Sequence, residues 1–204
     1  MDPKPDNPFN SERNIGSEVL ARLKDGEPRA FDLVYEAYRA RLFGFLLRLS
    51  QRRDVAEDLL QETWLRLATR AGTLRDDTRL AAWLFTVARN LYLTWRRNRL
   101  LDEARTGELF LASLHGFQRP SPLVVACANE LESKIEDALS AVPLPYREAL
   151  LLMVEGLTAS EAAAVCEVTP VAFRKRLSRA RMLFEKRFAM LTVPRIGQVR
   201  RETA

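Results

Sequence analysis

The apolar rhythm of this chain limits its fold more than any other feature. From Ser17 to Arg99 apolar side chains return at three- and four-residue spacing, and Pro28 is the one proline in that span. Such spacing gathers apolar groups on one face of an α-helix, and no run of alternating β-branched residues competes with it. Between Leu101 and Ala128 the rhythm loosens and Gly107, Gly116, Pro120 and Pro122 punctuate the chain, so a linker is expected there. Periodicity returns from Glu130 to Met190. The sequence therefore predicts an all-α protein: two small helical domains, residues 17–99 and 130–190, joined by a flexible linker over 100–129, with the C-terminal domain a helix-turn-helix. Residues 1–16 and the basic stretch 191–204 are expected to be tails. The two domains are expected to move independently when free, with proteolysis falling between Leu101 and Ala128.

Composition bounds the chemistry. With 204 residues, 47% of them hydrophobic, the chain has enough apolar surface for buried cores. Lys and Arg number 32 against 27 Asp and Glu, a formal charge of +5 with a pI near 9.5, which suits a polyanionic partner without identifying one. Cys127 and Cys166 lie far apart without CxxC spacing, so neither a disulfide framework nor a thiol-rich metal site is indicated. His115 is the lone histidine, in a Gly- and Pro-bounded stretch, which suits a surface residue better than a ligand or catalytic base. No metal, cofactor or small-molecule substrate is expected. The N-terminus is polar and Pro-rich, and the apolar stretches are too short or too interrupted to span a bilayer. A cytoplasmic chain without membrane insertion is the expectation.

Three helical segments carry recognisable chemistry. In DVAEDLLQETWLRL, Asp54 to Leu67, the residues Val55, Ala56, Leu59, Leu60, Thr63 and Leu67 gather on one side of a helix, and Asp54, Glu57, Asp58, Gln61 and Glu62 fill the opposite arc. Like charges four residues apart disfavour an isolated helix by ~0.2–0.5 kcal/mol each, so the stripe is either a solvated face or a dock for a basic protein. An acid/base role for Glu57 and Asp58 has no cleft or ligand signal behind it, since adjacent helical residues point apart.

The segment LAAWLFTVARNLYLTWRR, Leu80 to Arg97, separates in the same way. Trp83, Leu84, Val87, Ala88, Leu91 and Trp95 make its apolar side, while Thr86, Arg89, Asn90, Arg96 and Arg97 stand opposite without an acid among them. Arg and Asn are the side chains that make bidentate contacts to phosphates and base edges, so this face fits nucleic acid. Tyr92 and Trp95 at its margin fit either the core or stacking on an unpaired base, with the core favoured for Trp95. The stretch Arg70 to Arg79 ahead of it carries only a turn signal.

Near the C-terminus, Thr158 and Glu161 form a T-x-x-E capping box ahead of a small-residue helix, Ala159 to Cys166. A second helix start follows at Thr169 and Pro170. On that second helix Phe173, Leu177, Ala180 and Phe184 share one face, with Lys175, Arg176, Arg179 and Lys186 on the other. Seven basic residues stand against one acid, Glu185, from Arg174 to Arg187. Two capped helices around a short turn, the second basic on its outer side, form the pattern of a recognition helix offered to the DNA major groove.

Taken with AFDLVYEAYRARLFGFLLRL and VPLPYREALLLMVEGLTASEAAAVCEVTPVAFRKRLSRAR, these segments resemble the extracytoplasmic-function sigma factors of the sigma-70 superfamily, in that family's order and spacing. The resemblance implies that Asp54, Glu57, Asp58, Gln61 and Glu62 dock on core RNA polymerase. It implies that the Arg70 to Arg79 loop captures a base flipped from the non-template strand. Thr86, Arg89, Asn90, Arg96 and Arg97 would read and open the minus-ten element of promoter DNA, and Arg174, Lys175, Arg176 and Arg179 would meet the minus-thirty-five element. An anti-sigma factor is an expected further partner. Cys166-Glu167 stands where family members often carry Leu-Gly, and Val171-Ala172-Phe173 where they often carry Gly-Thr-Val, so no promoter sequence carries over. A stand-alone helix-turn-helix regulator explains only the C-terminal helix, and a sigma-like decoy that never initiates transcription is the other alternative. Enzyme activity has the least support.

Overall fold

The computed structural model describes residues 16–105 and 130–192, and every regular element among them is a helix. The N-terminal unit comprises α1 (Ser17–Lys24), α2 (Pro28–Ser50), α3 (Arg53–Arg70), a 3₁₀ turn (Ala71–Thr73) and α4 (Leu80–Arg105). The C-terminal unit comprises α5 (Glu130–Ser140), α6 (Leu144–Val154), α7 (Ala159–Val165) and α8 (Pro170–Thr192). The expected linker falls largely on 106–129, outside the described residues, as do Cys127, His115 and most of both expected tails. Helix α4 runs on to Arg105 rather than ending at Arg99. Nothing in Leu100 to Arg105 breaks a helix, so local propensity carries it past the point where the apolar rhythm fades.

Each unit is built around one long helix. In the first, α2 buries Tyr38, Leu42, Phe45 and Leu46 completely, against Ala56 and Leu67 of α3 and Leu84, Phe85 and Ala88 of α4. Phe45 and Phe85 meet edge to face with ring centroids 5.2 Å apart, a favoured aromatic geometry. Trp95 is partly buried and stacked beside Tyr92, as the core reading of its spacing expects. In the second unit α8 crosses α5, α6 and α7, seating Phe173, Leu177 and Ala180 among Ala149, Leu152, Ala162 and Val165. Three helices close with the same paired backbone bonds, in which the second residue past the cap reaches back to the third-last helical position. After α1 these are Gly26 to Leu23 and Glu27 to Arg22; after α6, Gly156 to Met153 and Leu157 to Leu152; after α7, Glu167 to Ala164 and Val168 to Ala163. The first residue past the cap takes a left-handed backbone each time, but only the third closure places a side chain there, on Glu167 at φ 56°.

The two units touch in this arrangement. Helix α4 packs on α7, and α2 packs on α6. Periodicity within a helix marks which face is apolar. It carries no record of polar contacts made between residues about a hundred positions apart.

Candidate nucleic-acid and protein interfaces

Helix α3 turns its acidic arc to solvent, as its wheel predicts, while Val55, Ala56, Leu59, Thr63 and Leu67 are buried. The arc is less bare than the sequence suggests. Arg52 pairs with Asp54, Arg53 with Glu57 at 2.8 Å, and Arg66 with Glu62 at 2.9 Å. Long arginine stems let residues flanking the arc lay their heads across it. The Arg52 guanidinium, hydrogen-bonded to Asp54, holds that carboxyl below the usual carboxylate range. Asp58 and Gln61 stand exposed between these pairs, and all three pairs are solvent-accessible and weak. A stronger basic partner can displace such pairs.

The Arg70 to Arg79 loop folds as a 3₁₀ turn followed by a tight turn, with Arg75 on Asp77 at 3.0 Å and Asp76 held by Lys24 of α1. The Lys24 ammonium draws the Asp76 carboxyl below its ordinary value. Between this loop and the start of α1 lies an open pocket of about 330 Å³, lined by Gly16, Ser17, Leu20 and the stretch from Asp76 to Leu80.

The Arg/Asn face of α4 is divided. Arg96 and Arg97 are exposed, Thr86 and Asn90 are half-buried, and Arg89 is buried, 9% accessible. The expectation of one open face therefore needs correction, because the C-terminal unit covers the half around Arg89. Arg89 Nε stands 3.4 Å from Oε1 of Glu148 on α6, itself 2% accessible, and neither atom has a hydrogen-bond partner. Burial pushes the Glu148 carboxyl above the ordinary carboxylate range, against the pull of Arg89, Arg176 and Arg96. The free Cys166 thiol beside it is raised by the same burial and by Glu148. Glu148 and its neighbour Arg147 escape sequence reasoning, although a charged pair inside the apolar run YREALLLM is a signal in itself. Arg147 is buried and fully used: it donates to the carbonyls of Ser140 and Val142 in its own unit and of Arg48 in the other.

The helix-turn-helix forms as its caps dictate. Thr158 and Glu161 close a reciprocal capping box, with the Glu161 N–H donating to Thr158 Oγ1 at 3.2 Å and the Thr158 N–H donating to Glu161 Oε2 at 2.8 Å. Thr169 Oγ1 accepts the Ala172 N–H, and Pro170 opens α8. Arg174, Lys175 and Arg179 project into solvent, as expected of a phosphate-facing side. Arg176 differs. It is half-buried and turned toward Glu148 and Cys166, so in this arrangement it belongs to the contact between the units.

Among the described residues no group of His, Cys, Asp and Glu side chains could hold a metal ion. Nor is any described helix long and apolar enough to cross a membrane. Two helical units, the second a capped helix-turn-helix with a basic outer face, define a DNA-binding type of protein. Residues 34–101 match the family Sigma-70 region 2, and residues 132–183 match Sigma-70, region 4. The chain is 28% identical over 176 residues to an RNA polymerase sigma-H factor of Pseudomonas aeruginosa, covering 83% of this chain and 91% of that one. It is 31% identical over 151 residues to the ECF RNA polymerase sigma factor SigM of Bacillus subtilis, covering 74% and 90%. Its fold matches that of the sigma factor RpoE of Bartonella quintana, solved with the anti-sigma factor NepR, at a TM-score of 0.67 and 26% identity over 78% of this chain and 96% of that one. This chain belongs to the extracytoplasmic-function group of the sigma-70 family, whose members are transcription initiation factors.

Proposed function

We propose that this protein binds core RNA polymerase, directs it to promoters through minus-ten and minus-thirty-five contacts, and promotes melting of the duplex. The observation that carries most weight is α8: a capped helix that buries Phe173, Leu177 and Ala180 while Arg174, Lys175 and Arg179 project into solvent. A basic face of that kind supplies the salt-dependent phosphate contacts that position a recognition helix on duplex DNA. The exposed arc of α3, centred on Glu57 and Asp58, is offered as the polymerase contact. Arg96, Arg97 and Asn90 of α4, with Arg89 once uncovered, are offered to the minus-ten strand. The loop pocket beside Asp76 has room for a base turned out of the stack. No side chain performs covalent chemistry in this scheme. The complex of RpoE with the anti-sigma factor NepR supports an anti-sigma factor as a further partner.

Run-off transcription with purified core polymerase on the DNA upstream of this protein's own coding sequence tests the proposal. A discrete transcript that appears only when the protein is added is expected. Retarded duplex DNA without any transcript would favour the stand-alone regulator, and polymerase binding without a transcript would favour the decoy.

A further inference from the structure

The outward side of α8 is not uniformly basic. Val171, Lys175, Ser178, Arg179 and Met182 follow one another at three- and four-residue spacing, so they share the ridge opposite buried Phe173, Leu177 and Ala180. All of them are exposed, and the two apolar members, Val171 and Met182, are each 57% accessible. Val171 gains little from packing inside its own unit, and valine is a poorer helix former than the alanine beside it. Thr169 and Pro170 fix the start of α8 immediately ahead of it, which places Val171 in the first turn. Arg174 leans back on that same turn, its Nε donating to the Pro170 carbonyl at 3.3 Å. An apolar side chain is thus held out at the tip of the helix, with Arg174 and Lys175 one turn behind it.

We propose that Val171 reads a base, its two methyl groups packing on the C5 methyl of a thymine in the major groove. The inference rests on the promoter function proposed above and names a sequence-reading residue within it. A recognition helix enters the groove by its N-terminal residues, which meet base edges, while cations farther round the helix hold phosphates. On the major-groove edge of a base pair the thymine methyl is the distinctive apolar feature, and the other features are donors and acceptors. Valine can use neither a donor nor an acceptor, so a T·A pair is the one Val171 favours. Val171 also heads Val171-Ala172-Phe173, where this chain departs from the family's common Gly-Thr-Val, so the preference is particular to this chain. Met182 shares the ridge and the exposure but lies roughly 16 Å farther along the helix axis, away from the end that enters the groove. It is the matched control.

The test uses the full-length chain with core polymerase. Duplexes randomised across the minus-thirty-five region are selected for binding, and in the selected site each thymine is then replaced in turn by uracil, which lacks only the C5 methyl. Affinity is titrated for the wild type, Val171→Ala and Met182→Ala. Alanine favours a helix more than valine does, so Val171→Ala keeps α8. One thymine is expected at which uracil weakens the wild type about fourfold, the worth of one buried methyl group. At that thymine uracil is expected to leave Val171→Ala unchanged and to weaken Met182→Ala as it weakens the wild type, the signature of a side chain and a base group in contact. The salt slopes of the three proteins are expected to coincide, since no phosphate contact changes. Equal losses in the wild type and Val171→Ala at every thymine overturn the proposal, and so does a site insensitive to all the replacements. Selection of no sequence at all removes the promoter function and the base contact together. A selected site without coupling to Val171 removes the base contact and leaves the promoter function standing.

Discussion

Glu167 holds a backbone conformation that its side chain disfavours. Two of the three matching helix closures use Gly26 and Gly156 at the left-handed position, and the third uses Glu167 at φ 56° with its side chain in solvent. A Cβ in that region costs ~1–2 kcal/mol, while glycine gives back ~0.5–1 kcal/mol through the entropy of the unfolded chain. Strain is the larger of the two effects, so Glu167→Gly is expected to stabilise the protein by roughly 0.5–1 kcal/mol. Thermal melting would show this as a rise of a few degrees, and an unchanged or lower midpoint would contradict it. Glu148 makes the other prediction at this scale. Its carboxyl faces Arg89 and Arg96 from α4, Arg176 from α8 and the buried Tyr92 and Cys166, yet burial dominates and its pKa is raised. A group whose pKa is raised on docking takes up a proton there. It favours the docked form at low pH, and that contribution is lost as pH rises from the ordinary carboxylate range through the raised value. Scattering measured across that window is expected to show the molecule expanding as pH rises, with the dependence flattened in Glu148→Gln.

Helices α3, α4 and α8 were largely legible in the sequence, and the reasons differ. The starts of α7 and α8 are marked by side chains that cap locally, Thr158 with Glu161 and Thr169 with Pro170, and these signals act over three or four residues whatever the tertiary context. Their buried faces follow from apolar spacing, as Phe173, Leu177 and Ala180 show. The arginines that cross the acidic arc of α3 were not legible, because a wheel places a Cα and not the head of a long side chain. Glu57 and Asp58 remain outward, so reversing both charges is expected to leave the circular dichroism native while weakening polymerase association on the order of tenfold, chiefly through slower encounter. Unchanged affinity in a folded double variant would remove α3 from the polymerase contact. On α8, Arg179 is the cleaner probe, since Arg176 also serves the contact with Glu148. Arg179→Ala is expected to lower duplex affinity and to reduce the slope of log affinity against log salt by about one contact, ~0.9. A salt slope equal to that of the wild type would place Arg179 off the phosphates.

At the scale of the whole molecule, two helical units were legible and their docking was not. The contact is made by Arg41, Arg48, Arg79 and Arg89 with glutamates far along the chain, and nothing local to these residues records which glutamate each one meets. Buried Arg89 shows the consequence: its residue type pointed to nucleic acid, and its neighbours in space are what decide when it can act. The central claim is that this protein, with core polymerase, opens DNA through α4. Permanganate reactivity of thymines on the upstream duplex, with polymerase and either wild-type protein or Asn90→Ala, measures that step. The account predicts reactive thymines across the minus-ten region with the wild type. Asn90→Ala should retain duplex binding but lose most of that reactivity, and a template mismatched across the same region should restore transcription. Loss of duplex binding by Asn90→Ala, with no rescue on the mismatched template, would contradict the assignment of α4 to promoter opening.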